Sequence, residues 1–388
     1  MNNFYKNKKI LILANSNLFF KQHLYKIFEE YKYTSKIYFV TKKDYTFDLK
    51  SENLIHIPII ISRNPSFKDI LSLLSYSILR IRIRPDISLS FTPKGSLINI
   101  LTSILPGKTI HYFTGQRWTN FKGIKLFFFK AIDYFVIRFS HITYCDSFSQ
   151  SNFISAKLKS KKPLVINYGS ISGVDLEKYK PQKVNINSIR RDIKEKEKLE
   201  KLRDFLKHGE QSKERIIFGF IGRLHNDKGI DILIKAFIKN NKKFPSNKLI
   251  LIGPIEIKKE YFISLTKNND NILHLDFSKK PEIFYPEFDI LLLPSLREGF
   301  GSVLIEAAAC KVPTICTKIP GPLDFIKHQE NGYFIKKNSE ISLLKALNFS
   351  SKNKESILEM GELAYSVVLK KYRKKEVSEK FLNEFGIF

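Results

Sequence analysis

Short apolar runs alternate with amphipathic stretches along nearly the whole chain, and this alternation constrains its fold more than any other feature. Runs this short, separated by helix-length segments, are the pattern of βα units wound around parallel sheet. In the first half it predicts strands at residues 9–14, 36–40, 54–57, 86–91, 109–114, 142–145 and 164–168. In the second half it predicts them at 216–221, 248–252, 272–275, 289–294, 314–316 and 332–335. Between them Ile230, Leu233, Ile234 and Phe237 recur at helical offsets. The expected class is α/β, with two doubly wound, Rossmann-like halves.

A chain of 388 residues suits two domains better than one. Between residues 183 and 215 it becomes dense in Lys, Arg and Glu and poor in apolar residues, which marks a linker or a surface helix. The expected organisation is an N-terminal domain over 1–180, a charged connection over 181–214, and a second domain over 215–365. A C-terminal helix over 366–388 is free to cross back to the first domain.

The net charge of +28 predicts attraction to polyanions, whether nucleic acid, anionic lipid or phosphorylated substrates, without choosing among them. Cys145, Cys310 and Cys316 form no CxxC pair, which fits a reducing compartment and argues against a disulfide frame or structural zinc. The opening MNNFYKNKKILILAN reads as leading directly into a strand rather than as a signal peptide. The stretch 70–83 comes closest to a membrane span but is interrupted by Arg80 and Arg82, so a soluble or peripheral protein is expected.

Two segments of the second half carry chemistry. In Phe218-Gly219-Phe220-Ile221-Gly222-Arg223-Leu224, continuing to Lys228-Gly229, a strand ends at Gly222 and a helix begins near Gly229. Open α/β sheets bind ligands at such strand ends, where Arg223 and Lys228 could clamp a diphosphate. Taken singly, either could equally be a solvated cation in so basic a chain. The second segment runs Pro294-Ser295-Leu296-Arg297-Glu298-Gly299-Phe300-Gly301-Ser302-Val303-Leu304-Ile305-Glu306. Its glycines allow close backbone approach, and a helix starting at Ser302 offers free N–H groups to phosphate. Glu306 can accept ribose hydroxyls, and Glu298 can reach the sugar. Alone, each glutamate reads as an exposed acid; together they frame one Gly-Phe-Gly turn.

GRLHNDKG followed by PSLREGFGSVLIEAAAC resembles the retaining glycosyltransferase family 4, with its Glu-x7-Glu motif and GT-B fold. Pro320-Gly321-Pro322 and Asn331-Gly332 sit where that family carries a later loop and turn, and Gly173-Val174-Asp175 resembles its interdomain motif. The resemblance implies two Rossmann-like domains facing each other across a cleft, a nucleotide-sugar donor bound mainly by the second, and no obligatory metal or other cofactor. It implies diphosphate binding by Arg223 and Lys228, ribose binding by Glu306, and a place beside the transferred sugar for Glu298. The donor site would be completed by Gly222, Gly299, Phe300, Gly301, Ser302 and Val303.

The first half is similar to a subgroup acting on polyprenyl-diphosphate-linked glycans in surface-polysaccharide or glycoprotein-glycan assembly. That likeness implies a UDP-linked donor, an N-acetylated hexosamine in the simplest case, and work at the inner face of a membrane. Departures are visible. Thr114 stands where many relatives place a His, with His111 upstream; Ser16-Asn17-Leu18-Phe19-Phe20 replaces a Gly-Gly loop; Lys311 replaces a common Gly. Between Lys122 and Arg138, Ile124, Phe127, Phe128, Ala131, Ile132 and Phe135 recur at helical spacing among basic residues, as in an interfacial helix or a core helix. Arg80, Arg82 and Arg84 add positive charge to the same half.

The implied chemistry is retention by front-face attack, with the leaving diphosphate stabilised by Arg223, Lys228 and the helix N-terminus at Gly301–Ser302. Two other readings stay open: a GT-B sugar-nucleotide epimerase, which needs no acceptor, and a basic nucleic-acid-binding protein. The second lacks an RNP-like signature, zinc knuckle or basic zipper.

Overall fold

The structure, a computed structural model, describes residues 7–15, 20–29, 31, 34–42, 52–61, 66–189, 192–208 and 214–387. The chain divides into two compact units, Met1–Gly173 with Lys375–Phe388, and Val174–Lys374. Each is built on one six-stranded, all-parallel sheet.

In the first unit the strands are β1 (Lys9–Leu13), β2 (Lys36–Lys42), β3 (Leu54–Ile59), β4 (Ile87–Ser90), β5 (Lys108–Phe113) and β6 (Ile142–Cys145). They are ordered β3-β2-β1-β4-β5-β6. In the second, β7 (Ile217–Ile221), β8 (Lys248–Ile252), β9 (Ile272–Leu275), β10 (Ile290–Leu293), β11 (Thr314–Thr317) and β12 (Gly332–Ile335) are ordered β12-β11-β10-β7-β8-β9. Both orders reverse direction once in mid-sheet, as doubly wound sheets do. The α/β expectation holds, and twelve of the thirteen expected runs are strands to within two residues at each end.

Residues 164–168 are the exception. Leu164 makes a single bridge to Tyr144, and the chain then turns through Asn167, Gly169 and Ser170, all at positive φ. Ser170 donates its backbone N–H to the Asp146 carbonyl instead of extending a ladder. The expected connection over 181–214 holds a helix, Ile193–Lys207, that lies within the second unit. Leu199, Leu202 and Leu206 bury its inner face against the sheet. The end of the chain forms helices Lys354–Lys371 and Lys374–Glu384. From Lys375 on it counts with the first unit, where Phe381, Leu382 and Phe385 join Phe20, Phe28 and Phe39 in one core. Residues 16–19 of the unusual first loop lie outside the described residues.

The opposite face of the first sheet carries helices Asp69–Ile83, Pro93–Leu101 and Gly123–Phe139, packed side by side in that order. The first turns a polar edge inward. Tyr76 bonds the Ser88 hydroxyl at 2.6 Å, and Arg80 is wholly buried. The Arg80 guanidinium donates to the carbonyls of Asn99, Leu105, Pro106 and Gly107 and to the Thr102 and Thr109 hydroxyls. This corrects the expectation that Arg80 adds surface charge. It instead satisfies carbonyls at the end of the Pro93–Leu101 helix and the turn that follows.

Asp133 is buried on the third helix, where it accepts from Trp118 Nε1 at 2.7 Å, and burial pushes its carboxyl up to about 7. The folded chain therefore holds this proton where the unfolded chain, with a pKa of ~3.9, releases it. Stability should fall as pH rises from that value towards 7, because the unfolded state binds fewer protons there. Asp133→Asn keeps an acceptor for Trp118 and is expected to melt a few degrees above wild type at pH 8 but not at pH 4. Thermal unfolding at the two pH values checks it.

Candidate functional site

In the second sheet the order reverses between β10 and β7, which pair directly through Ile290–Phe218 and Leu291–Gly219. Both motif segments leave the carboxyl ends of these neighbours, so distant sequence segments become adjacent loops. After β7, Gly222 and Arg223 lead into a single turn at Asn226–Lys228, and Gly229, at φ +68°, opens the helix Ile230–Lys243. After β10, residues 294–301 lead into the helix Ser302–Ala309, capped by Gly301 at φ +89°.

The loops are tied together. Leu296 donates its backbone N–H to the Asp227 carbonyl at 2.7 Å, and Lys228 Nζ meets Glu298 Oε1 at 2.7 Å. Arg297 grips Asp227 with Nε and Nη2 at 3.1 and 2.6 Å. Burial opposes ionisation of Asp227, but the Arg297 guanidinium outweighs it and holds that carboxyl below its ordinary range. Arg223 pairs with Glu256, beyond β8. The Arg223–Glu256 pair is the most exposed of the three and the cheapest to exchange for an incoming anion.

Glu298 and Glu306 face different surroundings. Glu298 lies between the loops on Lys228, whereas Glu306 accepts from the Tyr285 hydroxyl at 2.7 Å. Burial and the Glu306 carboxylate hold the Tyr285 and Tyr179 phenols well above their ordinary value. Burial and the same carboxylate also raise the Cys310 thiol. Phe300 is buried against Tyr372, ring centroids 5.2 Å apart, and this anchors the turn. Gly222, Gly299, Gly301, Ser302 and Val303 are all partly exposed along the two loops.

The structure therefore brings Arg223, Lys228, Glu298 and the Gly301–Ser302 helix start to one end of one sheet, with Glu306 one helical turn further on. Sequence reasoning missed Arg297, Asp227, Glu256, Tyr179 and Tyr285. Arg297 and Asp227 sit inside the motifs and could have been suspected as an opposite-charge pair; the tyrosines carry no local signal.

His111, in the first unit, is buried and neutral. Burial lowers it to about 3, and Nδ1 bonds the Ser90 hydroxyl at 2.9 Å. It lines a small cavity with Phe91, Thr114, Trp118 and Asp133. Lys311 sits at φ +60°, a backbone conformation that explains why glycine suits that position. Among the described residues no three His, Cys, Asp or Glu side chains converge as metal ligands, and no helix is long and apolar enough to cross a membrane.

Residues 201–367 match the family model for glycosyl transferases group 1, a span within the unit that carries both loops. Solved structures align with the whole chain. The Anabaena protein HepE, crystallised with UDP and glucose, superposes with a TM-score of 0.75 at 16% identity, covering 98% of this chain and 100% of its own. Sucrose-phosphate synthase from Thermosynechococcus elongatus gives 0.76 at 13% identity, covering 98% of each. The fold is GT-B.

Among curated sequences, the capsular polysaccharide biosynthesis glycosyltransferase CapM of Staphylococcus aureus is 29% identical over 279 residues, 70% of this chain and 68% of its own. The poly(ribitol-phosphate) alpha-N-acetylglucosaminyltransferase of S. aureus strain COL is 28% identical over 173 residues. That match spans 44% of this GT-B chain and 35% of the relative.

Gly229 and Gly123 make a paired test of how tightly the loops are joined. Both have positive φ, but a Cβ on Gly229 would lie 2.3 Å from the Pro294 carbonyl oxygen, whereas one on Gly123 meets nothing within 4 Å. Gly123→Ala is expected to cost ~1 kcal/mol, the conformational penalty alone. Gly229→Ala is expected to cost ~2–3 kcal/mol or more, because the two loops must also part. Denaturant unfolding of the two variants gives the comparison.

Proposed function

We propose that this protein is a retaining glycosyltransferase that moves a sugar from a nucleoside-diphosphate donor to a glycan acceptor during surface-polysaccharide assembly. The observation that carries this reading is the joined pair of loops at the switch point of the second sheet. A helix N-terminus, Arg223 and Lys228 meet there with Glu298 and Glu306. The group 1 glycosyltransferase match over that unit and the names of the relatives support it.

The diphosphate binds at the Gly301–Ser302 helix start and draws Arg223 and Lys228 from their carboxylate partners. As the glycosidic bond breaks, the charge growing on the leaving phosphate is met by these cations and backbone N–H groups, already in place before the reaction. Glu306, oriented by Tyr285, receives the ribose hydroxyls. Glu298, once Lys228 turns to phosphate, faces the transferred sugar and steadies positive charge at its ring. No metal is required, because fixed cations take that part. The donor is UDP-linked, an N-acetylhexosamine in the simplest case, and the acceptor is polyprenyl-diphosphate-linked at the inner face of a membrane. Attack comes from the face the phosphate leaves, with the phosphate accepting the acceptor proton.

The test is incubation with UDP-N-acetylhexosamines and a synthetic polyprenyl-diphosphate sugar, with EDTA present, and NMR of the product. A product with the donor's anomeric configuration is expected, lowered ~10²-fold in rate by Glu298→Gln. An inverted anomeric centre contradicts the mechanism. Conversion of donor without acceptor points to the epimerase reading instead.

A further inference from the structure

Two helices of the first unit bury polar side chains within their inner face and carry large apolar side chains on their outer one. A helix covering a sheet normally turns its apolar stripe inward and its polar residues to water. In Asp69–Ile83 the fully buried positions are Ser72, Tyr76 and Arg80, while Leu74, Ile78 and Ile81 are about half exposed. In Gly123–Phe139 the buried positions are Asp133, Val136 and Ile137, while Phe127, Phe128 and Phe135 are 76%, 57% and 50% exposed. The polar groups within are satisfied: Arg80 by carbonyls and hydroxyls, Tyr76 by Ser88, and Asp133 by Trp118. The inner faces are therefore complete, and the outer apolar side chains are additional to the core.

The two helices flank Pro93–Leu101 on one face of the sheet, and the connecting segments add Phe67 and Ile104, 97% and 94% exposed. More than half of the large exposed apolar side chains among the described residues lie between residues 67 and 139. A patch of this kind marks an interaction surface. Its charge selects the partner. Exposed Lys68, Arg82, Arg84, Lys122, Lys125 and Arg138 border it. Of the three acids between residues 66 and 139, Asp69 pairs with Lys94 at 2.7 Å, Asp133 is buried, and Asp86, which accepts from the Lys9 backbone N–H, is exposed. A second copy docking on this face would set like charges against each other. An anionic bilayer supplies an apolar layer for the phenylalanines and phosphates for the rim.

We infer that the outer face of helices Asp69–Ile83 and Gly123–Phe139 is a docking surface for anionic membrane, with aromatic and aliphatic side chains entering the interface and the basic rim resting on the headgroups. This does not depend on the donor site or on the reaction assigned to it.

The experiment is co-sedimentation of the full chain with phosphatidylcholine vesicles, with and without phosphatidylglycerol, at low and high salt. Wild type should bind the anionic vesicles, and rising salt should weaken binding. The double variants Leu74→Ser/Ile78→Ser and Phe127→Ser/Phe128→Ser should each reduce binding roughly tenfold or more. These side chains are exposed, so melting temperature and UDP binding should stay as in wild type, which separates failure here from failure of the donor site. Lys122→Glu/Lys125→Glu should remove the preference for anionic lipid. Absence of vesicle binding overturns the inference, as does binding that ignores all three variants. So does a self-association in lipid-free solution that the serine variants abolish, because the face would then be a protein interface.

Discussion

The pairing of β7 with β10 is the constraint on which the second unit depends. The strands are separated by two βα units in sequence, yet they run side by side. Their contact is tight: a Cβ on Gly219 would fall 2.1 Å from the Phe288 ring. Because the sheet reverses direction at this pair, no helix crosses above their carboxyl ends, and the two loops meet in the open space. The Lys228–Glu298 bond, the Arg297–Asp227 pair and the Leu296–Asp227 backbone bond all follow from that adjacency. The cations of these loops are paired with carboxylates, so the diphosphate proposed to bind there would exchange partners with them instead of filling an uncompensated positive hole. That exchange would cost least at the exposed Arg223–Glu256 pair and more at Lys228–Glu298, where both groups are more buried.

The first unit solves a different problem with the same architecture. Its sheet has one face sealed by aromatic residues, including those of the C-terminal helix. On the other face, part of the job of the apolar stripe is done by hydrogen bonds. Arg80 reaches into a turn and donates to its carbonyls, and among the described residues no carboxylate pairs with it. Polar groups so completely paired are tolerated inside a fold, and that releases leucine, isoleucine and phenylalanine to the outside.

Much of the fold was legible because buried parallel strands are short apolar runs bounded by turn residues, and periodicity reports them directly. The run at 164–168 has the same composition but no partner along its length, and pairing is not a property that composition reports. The helix Ile193–Lys207 was obscured by its charge; only Leu199, Leu202 and Leu206 betray its inner face. Arg80 was misread because residue type predicts exposure, whereas its place among six backbone and hydroxyl oxygens depends on a turn some twenty-five residues away. In the site, the glycines and the charged motif residues were readable in local sequence. The support of Glu306 by Tyr285 was not, because it comes from a different loop and is created by the fold.

The two loops at the β7–β10 switch point are the proposed site for the diphosphate and ribose of a nucleotide donor. Isothermal titration calorimetry of UDP, GDP and ADP against wild type and Glu306→Gln, at one fixed salt concentration, tests it most directly. Selective binding of one nucleotide, UDP, is expected, weakened roughly tenfold or more by the substitution, ~1.4 kcal/mol. Weak binding of all three nucleotides that is indifferent to Glu306 would contradict it, leaving only the general attraction of a basic protein for phosphate.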